Sequence, residues 1–203
     1  MNIIIAAVGG QGALLAARVI GQYALLKSEE VKVSEIHGMS QRGGSVVTHV
    51  RFGEKVHSPV IEVGTADVLL GFELLEAARA VHHLRPGGLL VVSKQQIPPL
   101  PVLTQAAEYP PALLQAFEQM AITTVAVDAL SCATQIGNIK VVNTVLIGVL
   151  ARRLSQDVDI WQKAVASCVP GKHLELNMRA FNVGYGLSSQ AAARVGAPKE
   201  MLS

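Results

Sequence analysis

The chain has 203 residues, and this length predicts one domain, because typical domains hold roughly 100–200 residues. Its 17 Lys and Arg residues against 15 Asp and Glu residues leave a net charge of +2, too weak a field to indicate a nucleic-acid partner. Half of the residues are hydrophobic and only 16% are charged. We therefore expect a large core and some apolar surface buried against another subunit.

The hydrophobic residues are mainly Ala, Val, Leu and Ile, which suits helices packed on a parallel sheet. Cys132 and Cys168 form no Cys-x-x-Cys pair, so we interpret them as core thiols in a reducing cytoplasm. Met1–Val8 lacks the basic start of a signal peptide, and no apolar run reaches the roughly 18 residues of a membrane span. We expect a cytoplasmic protein without a membrane partner.

The histidines do not indicate a metal site. His82 and His83 are adjacent on a predicted helix and would point about 100° apart, too divergent to share one ion. His37, His49 and His57 could approach one another across a hairpin, but solvated side chains are the better interpretation. We expect no metal ion on this chain.

The predicted elements begin with a strand, a glycine turn and a helix. Asn2–Val8 is an unbroken apolar run that ends in the turn Gly9–Gly12, and Ala13–Ile20 has apolar residues at helical spacing. Val31–Ile36 predicts a second strand. This order is typical of the first βαβ unit of a doubly wound sheet.

The next elements predict a mixed sheet. Ser45–Phe52 is rich in β-branched residues, and Phe52–Lys55 predicts a hairpin turn into an antiparallel strand at Val56–Val60. The later strands are predicted at Val68–Phe72, Leu89–Ser93 and Ile122–Val127, and the helices at Glu73–Leu84, Ala129–Gln135, Lys140–Leu154, Val158–Ser167 and Lys172–Val183.

These patterns predict a three-layer α/β/α fold in a single domain, residues 1–203. Its sheet is mostly parallel and Rossmann-like with an antiparallel hairpin, and its C-terminal part is helical. Five of the nine prolines lie within residues 98–111, which indicates a rigid excursion of the chain. We expect the tail, residues 188–203, to be loosely held.

The glycine turn lies where doubly wound folds bind anions, because the helix after it directs free N–H groups towards a ligand. The dinucleotide fingerprint G-x-G-x-x-G fits here only if Ala7 replaces its first glycine. Glu35, at the end of the second predicted strand, occupies the position of a ribose-binding acid. Phosphate or nucleotide binding and a tight packing turn both remain open.

A second candidate is the loop Ser40–Gly44, whose cation Arg42 could hold a carboxylate or phosphate bidentately. The alternative is a surface arginine at a strand end. Asn143 lies within an apolar helix and needs partners for its amide, either as a structural tie or as part of a site. Asn177 poses the same question.

These motifs resemble, in order, the gamma subunit, or domain III, of 2-oxoacid:ferredoxin oxidoreductases. The resemblance runs from about Met1 to Gly186 and includes the Gly-Gly-Gln-Gly turn, the Gln41–Val46 loop, the Asn143 helix and Asn177–Tyr185. More narrowly, Glu35–Val46 is similar to the beta subunits of indolepyruvate ferredoxin oxidoreductases. Ala7 departs from the pattern, since the family usually has glycine there.

The resemblance implies an oxidoreductase subunit that is not active alone. A thiamine diphosphate carbanion attacks an aryl-2-oxoacid, carbon dioxide leaves, electrons pass singly through iron–sulfur clusters to ferredoxin, and coenzyme A takes the acyl group. The large partner subunit carries thiamine diphosphate, Mg and the iron–sulfur clusters, and this chain binds no cofactor alone. Its role would be to close the active site and to help hold coenzyme A.

The resemblance assigns no catalytic residue to this chain. The candidate contacts to coenzyme A or to the partner subunit are Gly9, Gly10, Gln11, Gly12, Ser40, Gln41, Arg42, Gly43 and Asn143. Three alternatives stay open: a gamma subunit for pyruvate, 2-oxoglutarate or ketoisovalerate, a nucleotide-binding regulatory domain, and a purely structural subunit.

Overall fold

A computed structural model describes residues 1–38, 43–154 and 157–191. In this part of the chain, six strands form one sheet in the order β2-β3-β1-β4-β5-β6. Strand β3 is antiparallel to both of its neighbours, and β4, β5 and β6 continue parallel to β1. The predicted mixed, mostly parallel sheet is confirmed. The strands are β1 (Asn2–Val8), β2 (Glu30–His37), β3 (Ser45–Gly53), β4 (Ala66–Gly71), β5 (Leu84–Ser93) and β6 (Thr123–Val127).

Helices cover both faces of the sheet, which confirms the three-layer fold and its helical C-terminal part. The helices are α1 (Ala13–Leu26), α2 (Leu74–Ala80), α3 (Leu100–Leu103), α4 (Leu113–Glu118), α5 (Ala129–Ile136), α6 (Val142–Leu154), α7 (Val158–Cys168) and α8 (Leu174–Ala191). Helices α1 and α5–α8 pack on one face, and α2 and α4 pack on the other. Among the described residues, no helix is both long and apolar enough to cross a membrane.

Strand β1 is apolar from Ile3 to Val8 because both of its faces are buried there. Ile3 and Ile5 point into the core under α1 and the C-terminal helices, whereas Ile4 and Ala6 point into the smaller core under α2. The four side chains are fully buried. An unbroken apolar run is the expected sequence of a central strand covered on both sides.

Strand β3 enters the sheet between β1 and β2, so the hairpin is formed by β2 and β3. The predicted strand at Val56–Val60 is wrong, since both edges of β3 are already occupied. The segment is instead a loop held by side chains. Val56 N donates to Glu30 Oε2 at 2.6 Å, and Arg51 Nη1 donates to the carbonyl oxygen of Val60 at 2.9 Å.

Several predicted boundaries also change. The predicted helix Glu73–Leu84 ends at Ala80 and is followed by a 3-10 turn, Val81–His83. Strand β5 begins at Leu84 instead of the predicted Leu89, and its pairing with β4 is irregular near this start. The proline-rich segment includes α3. Helix α8 extends to residue 191, and the rest of the tail lies outside the described residues, so its predicted loose attachment stays a prediction.

His49 is buried, which contradicts the expectation of a solvated side chain. It points to the opposite face of the sheet from His37, so these two histidines cannot meet. Its Nδ1 accepts a hydrogen bond from Ile61 N at 3.0 Å, and its ring lies edge-on to that of His83, with centroids 5.6 Å apart. The rings of His82 and His83, in the 3-10 turn, lie 4.4 Å apart.

Burial lowers the pKa of His49, and burial together with its two histidine neighbours lowers the pKa of His83. The unfolded chain therefore binds protons more readily than the folded one. We expect the free energy of unfolding to fall as the pH drops below about 6.5, the ordinary histidine pKa. Denaturant unfolding at pH 7.5 and pH 5 measures this loss.

The variant His49→Asn keeps an acceptor for Ile61 N but cannot be protonated. It should lose less stability between the two pH values than the parent chain does. The exposed His57 provides the control, since His57→Asn should keep the parent's pH dependence. Equal slopes for all three proteins would contradict the role of His49.

Helices α6 and α8 cross closely at two glycines. A Cβ atom added to Gly184 would collide with the carbonyl oxygen of Val145, and one added to Gly148 would collide with that of Phe181. The backbones therefore touch directly at this crossing. The contact fixes α8 against a helix, α6, whose residues 142–151 are all buried.

Gly184→Ala should lower the free energy of unfolding by about 1–3 kcal/mol, because the added methyl group separates two packed helices. Gly186, two residues further along α8, has open space around an added Cβ. Gly186→Ala should instead be neutral or stabilise by up to about 1 kcal/mol. Urea midpoints at unchanged m-values would measure both effects, and similar losses in the two variants would refute the packing explanation.

Candidate functional site

The glycine turn connects β1 to α1 at the carboxyl edge of the sheet. Gly10 and Gly12 adopt positive φ angles of 103° and 85°, which favour glycine. Gln11 N donates to the carbonyl oxygen of Val8 at 3.1 Å and closes the turn. Gly12 is the N-cap of α1 and supplies no side chain to cap it, so the first N–H groups of α1 have no capping side chain at this position.

The Gln11 side chain ties three strand ends together. Its Oε1 accepts from Val8 N at 2.8 Å, and its Nε2 donates to the carbonyl oxygen of Phe72 and to Gln95 Oε1, both at 3.2 Å. Val8 ends β1, Phe72 directly follows β4, and Gln95 lies just after β5. The Gln11 amide therefore lies beside β1 and β4, where the direction of the strand order reverses. Sheets of this kind usually bind their ligands in the crevice at this point. Gln11 therefore fills this crevice and does not line the cavity described next.

A cavity of about 340 Å³ lies on the other side of the turn. One wall is formed by the turn and the start of α1, including the half-exposed side chain of Leu14, and the facing wall is formed by the ends of β2 and β3. Its lining residues are Val8, Gly9, Gly10, Gly12, Ala13, Leu14, Glu35, His37 and Val46. An added Cβ at Gly10 would meet nothing within 4 Å, so this backbone is open to a ligand.

Glu35 lines the cavity but is further from β1 than the dinucleotide pattern requires. It pairs with Thr48 of β3, which in turn pairs with Ile5 of β1. Two strand spacings of about 4.8 Å therefore separate Glu35 from β1, where a dinucleotide fold has one. The Thr48 hydroxyl donates to the carboxylate at 3.4 Å. The inserted strand weakens the nucleotide interpretation.

The loop that carries Arg42 is joined to the glycine turn at its returning end. Ser40, Gln41 and Arg42 lie outside the described residues. Gly43 N donates to the carbonyl oxygen of Gly9 at 3.2 Å, and Gly9 N donates to that of Gly44 at 2.8 Å. The Ser40–Gly44 loop therefore ends next to the glycine turn, which forms one wall of the cavity.

Asn143 is buried and its side chain contacts the glycine turn. Its Nδ2 lies 3.5 Å from the carbonyl oxygen of Gly12, and its Oδ1 accepts from Thr144 N at 2.8 Å. The Thr144 hydroxyl donates to Asn177 Oδ1 at 2.6 Å, and Asn177 Nδ2 donates to the carbonyl oxygen of His173 at 2.9 Å. This chain of bonds joins the beginnings of α1, α6 and α8.

Sequence reasoning missed two buried carboxylates on the first turn of α2. Glu73 caps the helix by accepting from Glu76 N at 2.8 Å, and it is fully buried. Glu76 Oε2 accepts from the Ser45 hydroxyl at 2.5 Å. The sequence did hold a signal, because Glu73 and Glu76 are three residues apart at the start of a predicted helix. A side chain at the N-cap accepts a hydrogen bond from the backbone N–H three residues later.

The described residues contain no group of three or more His, Cys, Asp or Glu side chains that could hold a metal ion. Cys132 and Cys168 are half-buried and pack against the larger core, and burial raises the pKa of both thiols. These residues do not fit an iron–sulfur cluster or a metal–diphosphate site.

The family model described as "Pyruvate ferredoxin/flavodoxin oxidoreductase" matches residues 2–187. The chain belongs to this family. It is 40% identical over 208 residues to the protein named indolepyruvate oxidoreductase subunit IorB of Thermococcus kodakarensis, and the match covers 99% of this chain and 97% of that relative. These matches confirm the predicted family and the role of a subunit of a ferredoxin-dependent 2-oxoacid oxidoreductase.

Solved structures share the fold of this pyruvate ferredoxin/flavodoxin oxidoreductase family member. The gamma subunit of a keto/oxoacid ferredoxin oxidoreductase from Geobacter sulfurreducens superposes with a TM-score of 0.70 at 24% identity, over 94% of this chain and 99% of that one. A 2-oxoglutarate:ferredoxin oxidoreductase from Magnetococcus marinus gives 0.72 at 15% identity, covering 94% of this chain but 31% of that longer one.

The fit between the glycine turn and Asn143 can be tested by two alanine substitutions. Gly12→Ala places a Cβ 2.5 Å from Asn143 Nδ2 and also has a positive φ, which alanine disfavours. Gly10→Ala has the same unfavourable backbone conformation, but its Cβ contacts nothing within 4 Å. We expect Gly10→Ala to cost about 1 kcal/mol of stability and Gly12→Ala about 1–3 kcal/mol more. A double-mutant cycle of Gly12→Ala with Asn143→Ala should show coupling, and additive losses would contradict the contact.

Proposed function

We propose that the chain is the accessory subunit of an arylpyruvate ferredoxin oxidoreductase, acting on indolepyruvate. The observation that carries this proposal is the 40% identity to a subunit named for indolepyruvate, over nearly the full length of both chains. A gamma subunit for pyruvate, 2-oxoglutarate or ketoisovalerate is the second candidate, and it has weaker support, because the gamma-subunit structure is only 24% identical.

In this proposal a large companion subunit holds thiamine diphosphate, Mg and the iron–sulfur clusters. The thiamine group supplies decarboxylation of the oxoacid, the clusters deliver electrons to ferredoxin, and coenzyme A accepts the acyl group. This chain contributes the carboxyl-edge surface that meets the companion and coenzyme A. Its two free cysteines are consistent with a reducing cytoplasm, where we place the complex.

The contacts of this surface are proposed to come from the glycine turn, the Ser40–Gly44 loop and Asn143. The uncapped start of α1 directs N–H groups and a positive dipole end towards the cavity, which favours a phosphate there. Arg42 supplies the cation of the loop, whose end is bonded to Gly9. Asn143 acts indirectly, by holding Gly12.

The exposed apolar side chains near this edge favour a protein contact as part of the role. Leu14, on the rim of the cavity, is 56% exposed. Leu100 and Leu103, in the segment after β5, are 70% and 67% exposed. Apolar surface exposed to solvent is often covered by a partner at a subunit interface.

A nucleotide-binding regulatory domain is less well supported, since β3 separates Glu35 from β1. Titration of the isolated chain with NAD and FAD discriminates between the two functions. Micromolar affinity for either nucleotide would favour the regulatory domain. We expect no saturable binding at that level, and ketoacid oxidation only when the companion subunit is present.

Arg42→Ala should lower kcat/KM for coenzyme A about 10- to 100-fold in the reconstituted complex, as expected for loss of a charge-assisted hydrogen bond. The isolated variant should unfold at the same denaturant concentration as the parent. Arg85→Ala is the control, because Arg85 lies at the start of β5, on the opposite edge of the sheet, and pairs there with Asp67 at 2.9 Å. Unchanged turnover of the Arg42 variant would show that the Ser40–Gly44 loop is not part of the proposed site.

A further inference from the structure

The first turn of α2 binds two separate segments of the carboxyl edge through buried carboxylates. Glu73 is fully buried and Glu76 is 5% exposed. One segment, residues 94–112, contains the five clustered prolines and follows β5; we call it the strap. The other is the start of β3 at Ser45, directly after the Ser40–Gly44 loop.

Glu73 holds both ends of the strap. Its Oε1 accepts from Ile97 N at 3.0 Å and from the Tyr109 hydroxyl at 2.5 Å. The same hydroxyl oxygen accepts from Leu75 N at 3.1 Å, so Tyr109 is fixed to the start of α2 by two bonds. Burial and the hydrogen bond to Glu73 raise the pKa of the Tyr109 phenol.

Glu76 holds the cavity wall. Its Oε2 accepts from the Ser45 hydroxyl at 2.5 Å, and its Oε1 pairs with Arg79 at 2.6 Å. Ser45 lies between Gly44, which is bonded to Gly9, and Val46, which lines the cavity. A movement of Ser45 would therefore displace the wall that faces the glycine turn.

Burying this network of charged groups is unfavourable for the stability of the fold. Two carboxylates are removed from water, and the cation bonded to Glu76, Arg79, is itself 51% exposed. Replacing buried ionic groups by apolar residues is often neutral or stabilising. What apolar packing would not provide is a fixed orientation for several backbone and hydroxyl donors at once.

We propose that Glu73 and Glu76 are positioning residues that hold the strap and the cavity wall in the arrangement that the companion subunit meets. The inference rests on the proposed function, since it takes the carboxyl edge as the companion's contact surface. The strap's exposed Leu100 and Leu103 are carried by the segment that Glu73 fixes.

Tyr109→Phe and Ser45→Ala test the two halves in the complex reconstituted with the companion subunit. Each variant should raise the concentration of this chain that gives half-maximal oxoacid oxidation about tenfold, with kcat at saturation little changed. Tyr109→Phe should also speed cleavage of the strap after the exposed Glu108 by a glutamate-specific protease. Tyr185→Phe is the matched control, because its hydroxyl accepts a hydrogen bond from Arg152 Nη1 of α6 at 3.4 Å, away from the strap.

If Tyr109→Phe and Ser45→Ala both behave like Tyr185→Phe, the positioning role is overturned. Ser45 is exposed and its truncation leaves no cavity, so this variant keeps the test decisive should Tyr109→Phe fail to fold. Gly10→Val tests the proposed site itself. An effect of Gly10→Val alone would overturn the positioning role and keep the site, and an effect of the other two variants alone would do the reverse.

Discussion

The antiparallel strand β3, inserted between β1 and β2, determines the shape of the candidate site. It moves the end of β2 one strand further from the glycine turn and so opens the cavity between them. It also brings Ser45 and Val46 to the carboxyl edge, because β3 runs antiparallel to β1 and β2 and therefore begins at the edge where they end. The wall that faces the glycine turn is therefore built from the start of one strand and the end of another.

The carboxyl edge is held together by side chains that bridge elements distant in sequence. Gln11 joins the ends of β1, β4 and β5, Asn143 joins the starts of α1 and α6, and Glu73 joins α2 to the strap. Each side chain satisfies backbone groups that strand ends and helix starts leave unpaired. The open surface that remains includes the Gly10 backbone and the cavity, which these three side chains support from behind.

Local patterns predicted the elements of this fold well, because β1, the glycine turn and α1 are adjacent in sequence and their apolar spacing is regular. The position of β3 could not be read in the same way, since strand order depends on contacts between distant residues, and this led to the wrong strand at Val56–Val60. Asn143 was identified as a residue needing partners, but its partner Gly12 is 131 positions away. In the sequence, Glu73 and Glu76 look like ordinary surface charges of a helix, because their burial depends on contacts with distant parts of the chain.

The two walls of the cavity carry opposite electrostatic character, and this constrains what can enter it. The glycine turn presents the positive end of α1, whereas the facing wall presents the carboxylate of Glu35, which accepts a hydrogen bond from the Thr48 hydroxyl at 3.4 Å. A phosphate would be stabilised on the first wall and repelled by the second. The cavity would therefore orient a bound group rather than only attract it, with its anion towards Gly10 and its hydroxyl or cationic part towards β2. In the proposed function, such an orientation would let this subunit present a bound ligand to its companion.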